Sequence, residues 1–189
     1  MSAVSEQGGA IRPLRQEATV RVWDPVVRLF HWGVVTGCVL NLFILEEGKT
    51  AHRYVGYTVA ALLAIRLVWG FVGTRHARFA DFVPMPGSLI AYTRALLRGE
   101  EPRFVGHNPL AAVVMLALML LLALTAGSGF MMTLDAFWGV KWVKEVHAVC
   151  ANSIMLLAGL HALAAIVESF RHRENLVGAM VTGRKRADG

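Results

Sequence analysis

The sequence predicts an all-α fold: an integral membrane four-helix bundle with four transmembrane helices, both termini cytoplasmic (N-in/C-in), and a surface amphipathic helix between spans two and three. Three observations predict it. Hydrophobic residues make up 56% of the chain and mean hydropathy is +0.51, far above an ordinary soluble domain. Four apolar segments are each long enough to cross a bilayer. Lys and Arg are unevenly shared among the connecting segments. Fourteen fall in the N-terminal tail, the long connection after span two and the C-terminal stretch; Lys49, Arg53, Lys141 and Lys144 fall on the other side, and Arg66 lies within a span. The positive-inside rule places the fourteen in the cytoplasm, and topology accounts for the net charge of +6 better than nucleic-acid binding does.

Taken in order, residues 1–19 read as a disordered cytoplasmic tail. The N-terminal stretch has no apolar core after its charges and is not a cleavable signal peptide. Asp24-Pro25 supplies an N-cap acceptor and a first-turn proline, which start a helix. Span one, 29–45, carries no formal charge, and His31 sits near its start. A polar turn at 46–49 leads into span two, from about His52 to Gly73, interrupted only by Arg66. The connection 75–106 contains SLIAYTRALLRG, whose apolar residues recur at helical spacing and suit a helix lying on the membrane surface. Asn108-Pro109 opens span three, uncharged to Met132. A short link with Trp138 and Trp142 belongs to the interfacial belt. Span four runs from about His147 to Arg171. The domain organisation is therefore a tail at 1–19, a membrane domain at 20–172, and a basic cytoplasmic tail at 173–189. Cys38 and Cys150 lie in apolar segments as small hydrophobes, and the absence of Cys-x-x-Cys-His excludes covalent c-type haem.

Candidate chemistry rests on four histidines. His147 and His161 bracket thirteen uncharged residues. Fourteen helical steps separate them by about 21 Å and return them to one face. With the predicted topology, His52 joins His147 in an outer layer and His31 joins His161 in an inner one. Ionisable residues at such depths are usually functional. A bundle builds cofactor sites from side chains on facing helices, and two facing imidazoles suit the axial positions of one haem iron. Such ligation leaves no open iron position and favours electron transfer. Zinc would need four ligands at one centre, which two separated layers do not offer. Gly56, Ala151 and Ala165 each follow a histidine by four residues and leave room on its face for a flat macrocycle. Arg66, fourteen residues after His52, shares that face one layer deeper, where a haem propionate is a fitting partner. His107 reads as an interfacial histidine, with the edge of a quinone or propionate site as the alternative; His76 and His172 read as solvated. Gly33-x-x-x-Gly37 reads as a helix-contact pattern.

VRVWDPVVRLFHW (20–32), AHRYVGY (51–57), the spacing of His147 and His161, and AMVTGRKR (179–186) together resemble the bacterial cytochrome b561 family, which includes the b-type cytochrome subunits of nickel–iron hydrogenases. The resemblance spans Val20 to Arg186. It implies four transmembrane helices, two non-covalent b haems held by His31, His52, His147 and His161, and electron exchange with the quinone pool. The expectation is a bacterial inner-membrane cytochrome passing electrons between quinone and a periplasmic partner: a hydrogenase, a dehydrogenase or a c-type cytochrome. A stand-alone superoxide:quinone oxidoreductase and a haem-binding redox sensor are the alternatives, and a homodimer is open to all three.

Overall fold

The computed structural model describes residues 18–187. Strand β1 (Thr19–Arg21) is followed by α1 (Pro25–Val39), which runs on into one π-helical turn (Leu40–Ile44). Then come α2 (Thr50–Val72), a short α3 (Phe79–Phe82), α4 (Pro86–Arg98), α5 (Pro109–Met131), α6 (Lys141–Arg171), α7 (Leu176–Thr182) and strand β2 (Arg184–Arg186). Two of the long helices start alike. Asp24 Oδ1 accepts from the Val27 N–H at 3.0 Å and Asn108 Oδ1 from the Ala111 N–H at 2.7 Å, each with proline next in the chain, where a missing N–H does no harm.

Four helices are long and apolar enough to cross a membrane: α1 with its π turn, α2, α5 and α6. Their large apolar side chains face outward as readily as inward; Phe43, Phe71 and Leu156 are all exposed. That arrangement suits hydrocarbon, where a helix satisfies its own backbone and an outward side chain need not be polar. The fold is thus an all-α membrane bundle.

Two helical hairpins form it. In one, α1 lies close along α2 because Gly33 and Gly37 present no side chain; a Cβ at either would overlap Leu62 or Val59. In the other, α5 lies along α6, and α2 joins the hairpins by packing on α5. Val59, Leu63, Met119, Leu122 and Ile154 form the shared core. The contacts of α6 with α1 and α2 are few, so the bundle is loosest between the first hairpin and α6.

One end of the bundle carries a two-stranded antiparallel ribbon that pairs Thr19 with Arg186, Val20 with Lys185 and Arg21 with Arg184. Under it pack Val22, Trp23, Val27 and Ala77. We call this end the ribbon face, and the end with the 45–49 and 132–140 connections the turn face. Asp24 ties the ribbon face together: besides capping α1, it accepts from Trp69 Nε1 at 2.9 Å and Thr74 Oγ1 at 2.6 Å. Burial pushes its carboxyl up, and these hydrogen bonds outweigh burial and hold it below the usual range.

The expected N-terminal tail lies outside the described residues, save that Thr19 already belongs to β1. The basic stretch set apart at 173–189 is folded as far as Ala187. Glu174 pairs with Arg103 at 2.9 Å and accepts from the Arg186 N–H at 2.9 Å. Lys185, part of the stretch read as a basic cytoplasmic tail, is buried, with Nζ donating to the Phe104 carbonyl at 3.1 Å. The physical reason is the buried Glu174 carboxylate, which makes a fixed place for these cations.

This clasp has a testable energetics. Replacing Arg103 by Met leaves Glu174 buried without its closest guanidinium, a change expected to destabilise the ribbon by about 3–5 kcal/mol. Burial pushes Glu174 up, but the Arg186 N–H, Arg103 and Lys185 outweigh it and hold the carboxyl below its ordinary 4.5. A depressed folded value means that the stabilisation is complete above the unfolded value and is lost as pH falls through the folded one. Hydrogen exchange at the Ala187 amide, which donates to the Ala18 carbonyl at 2.7 Å, reports both effects: protection falls in Arg103→Met at neutral pH and in the wild type only in acid.

Candidate functional site

The four histidines come from the first hairpin and α6, two toward each end of the bundle. His52 occupies the first turn of α2 and His147 the second turn of α6, both near the turn face. Their ring centres are 6.4 Å apart, with planes inclined at 57°. A metal-bound imidazole nitrogen lies about 2.0–2.1 Å from its ion and about 1 Å from its ring centre, so imidazoles on opposite sides of one ion have centres roughly 6 Å apart. The observed separation matches that span.

His147 is prepared for such a role. Its Nδ1 is 3.0 Å from the Thr125 carbonyl, which can only accept, so Nδ1 carries the proton and Nε2 keeps its lone pair. Orienting a ring through its far nitrogen is how metal-binding histidines are usually fixed. Gly129 of α5 makes the ring's position available, since a Cβ there would stand 3.1 Å from His147 Cε1. Across the gap, His52 Nδ1 is buried without a partner. The Asn41 amide, from the π turn, donates to the His52 backbone carbonyl at 3.2 Å. One helical turn beyond His52, a Cβ at Gly56 would meet just that amide, at 3.9 Å, so Gly56 leaves the α2 surface open there.

The other two histidines, His31 from α1 and His161 from α6, lie toward the ribbon face. His31 Nδ1 is buried and without a partner, and Trp32 stands edge-on to its ring at 5.0 Å. Arg66, from α2, also lies toward the ribbon face. It is 1% exposed, its Nη1 has no partner, and its guanidinium lies 5.5 and 5.9 Å from the Phe79 and Phe82 rings. A buried guanidinium with an unused donor is fitted to an anion such as a carboxylate.

His107 departs from its reading as an interfacial residue. It is held between Trp23 and Phe82, with ring centres 4.7 and 5.1 Å away, and Arg66, Lys185 and His161 all act on it. Burial first, then the Arg66 and Lys185 charges, push it down to about 3, so it is neutral at neutral pH; its Nδ1 has no partner. It also walls a cleft of about 530 Å³ under α4, with Phe82, Met85, Tyr92, Phe104 and Pro109. His172, read as solvated, instead pairs with Glu168 at 3.0 Å.

Thr125, Gly129 and Asn41 escaped the sequence reading. A carbonyl that orients a ring leaves no mark in a side chain, and Gly129 in TAGSGF looks like any small packing residue. An asparagine close to the end of an apolar span was the one available signal.

A family model described as Prokaryotic cytochrome b561 matches residues 22–183. Among curated proteins, the chain is 24% identical to one from Bradyrhizobium diazoefficiens, over 88% of this chain and 86% of that one. It is 24% identical to one from Rhodobacter capsulatus, over 93% and 84%, and 24% identical to one from Cupriavidus necator, over 96% and 93%. All three are named "Probable Ni/Fe-hydrogenase B-type cytochrome subunit". No solved structure matches the chain.

A side chain at position 129 displaces the His147 ring. Gly129→Leu is expected to weaken haem retention about tenfold or more, read as haem per chain by the pyridine haemochrome spectrum, with helicity by circular dichroism unchanged.

Proposed function

The chain belongs to the prokaryotic cytochrome b561 family, the membrane b-type cytochromes of electron transfer, and we propose that it holds two b haems and carries electrons between a periplasmic redox partner and the quinone pool. The observation that carries this reading is the His52–His147 pair, 6.4 Å between ring centres with Nδ1 of His147 engaged by Thr125. His52 and His147 would be the axial ligands of one haem, and His31 and His161 those of the other. Haem b bound in these places supplies one-electron chemistry at iron.

The remaining residues have stated tasks. Gly56 leaves room for a macrocycle beside His52, and Arg66 would receive a propionate of the haem nearer the ribbon face. The Lys and Arg distribution orients the ribbon face toward the cytoplasm and the turn face toward the periplasm, in the bacterial inner membrane, with both termini cytoplasmic. The partner would then dock at the turn face, where Trp138 is 80% exposed beside Lys141 and Lys144. The names of the three relatives favour a hydrogenase as that partner. The quinone would enter the cleft under α4, whose walls are apolar apart from Asp81, Ser88, Tyr92 and His107, a lining suited to a small aromatic ligand.

Haem quantitation with a reduced-minus-oxidised spectrum on purified protein tests this reading. The expected result is two b haems per chain, with His31→Ala and His52→Ala each losing a different one. Arg66→Leu is expected to change the occupancy or midpoint potential of the haem that His31→Ala loses and to leave the other unchanged. One haem in the wild type, or the same haem lost in both histidine variants, refutes the layered arrangement.

A further inference from the structure

We propose that Asn41, in the π turn that ends α1, is a positioning residue for His52: it pins the first turn of α2, so that the His52 imidazole stays seated on its haem iron. The proposal rests on the axial-ligand reading above and adds to it a residue that acts on the ligand through its backbone.

His52 stands in the first turn of α2, and a helix frays most readily at its ends. Helices α1 and α5 secure their starts with the Asp24 and Asn108 side chains. At the start of α2, Lys49 makes no such bond, and the residues before it, 46–49, are exposed. The side chain that reaches this turn is Asn41, whose Nδ2 donates to the His52 backbone carbonyl at 3.2 Å. A carbonyl can only accept, so the nitrogen is the end of the amide that meets it. The same amide borders the open surface at Gly56, where a Cβ would stand 3.9 Å from Nδ2.

Two costs coincide at this residue. The Leu45 N–H donates to the Leu40 carbonyl at 2.8 Å, five residues back rather than four, and such π turns are rare and frequently mark functional sites. Asn41 is the second residue of that turn. Its Oδ1 is buried without a partner, which is destabilising; leucine, nearly the same in shape, would carry no unanswered atom. The His52 carbonyl has its own place in the helical ladder, so it does not need Asn41 to be satisfied. What the bond supplies is a fixed link from the end of α1 to the backbone of the residue whose ring centre lies 6.4 Å from that of His147. His147 is held through its ring, by the Thr125 carbonyl. His52, whose Nδ1 has no partner, is held through its backbone. Supports behind a metal ligand govern how firmly it stays on its ion.

The test is carbon monoxide binding to the full-length, haem-loaded, dithionite-reduced protein in detergent, because a bis-histidine iron has no open position until one imidazole lets go. Wild type, Asn41→Leu, Asn41→Ala and His52→Ala are mixed with carbon monoxide by stopped flow, with haem content and helicity measured alongside. The haem that His52→Ala opens or loses is expected, in both Asn41 variants, to bind carbon monoxide about tenfold faster or more, or to leave the protein. Helicity and the other haem are expected to stay at wild-type values. Either variant keeping both haems and binding carbon monoxide no faster than the wild type overturns the proposal. So does a variant in which both haems open or leave together, or helicity falls, because the role is then structural. The axial-ligand reading fails separately, if His52→Ala keeps both haems closed to carbon monoxide.

Discussion

Polar side chains inside a hydrocarbon layer are costly unless another group answers them, and that constraint disposes the interior of this bundle. Where the chain supplies its own answer, it does so without ambiguity: Asp24 receives Val27, Trp69 and Thr74, and His147 finds the Thr125 carbonyl. Where it does not, the unanswered atoms are His31 Nδ1, His52 Nδ1, Arg66 Nη1 and His107 Nδ1, among others. Those four belong to the two histidine layers or border the cleft. The proposed function gives those places to haem and quinone.

The two ends of the bundle solve different problems. At the ribbon face, charged residues are buried in a connected set: Arg103 and Lys185 on Glu174, and Arg186 through its backbone. This set joins the chain's two ends through β1 and β2, so the N-terminus of α1, which carries His31, is anchored by residues more than 150 positions away. The turn face has no such set among the described residues. Its connections are short, and its ion pair of Lys49 with Glu46 is exposed at 3.7 Å, worth little in water.

Much of the architecture was legible in the sequence because it depends on local signals. Asp24-Pro25 and Asn108-Pro109 announce helix starts, hydropathy counts the long helices, and the glycine pair at 33 and 37 marks the α1–α2 contact. The neighbourhood of His52 and His147 was legible too, since helical periodicity converts spacing into face and depth. What escaped is what depends on long-range partners. Nothing near Lys185 in the chain announces that Glu174 will bury it, and the strands are three residues long, too short for an alternation to register. His107 looked interfacial because its enclosure is made by Trp23 and Phe82, distant in sequence and on different elements.

The unbroken course of α6 has a further consequence. His147 and His161 are set on one continuous helix of 31 residues, braced along its length by α5, so that helix acts as a ruler between the two layers. Connections such as 83–85 or 99–106 can lengthen or shorten without disturbing it. An insertion of a single residue between 147 and 161 has a different outcome, turning one imidazole by about 100° away from its partner while shifting it by only about 1.5 Å. Length can therefore change in the connections, whereas the interval between these two histidines tolerates no added or lost residue.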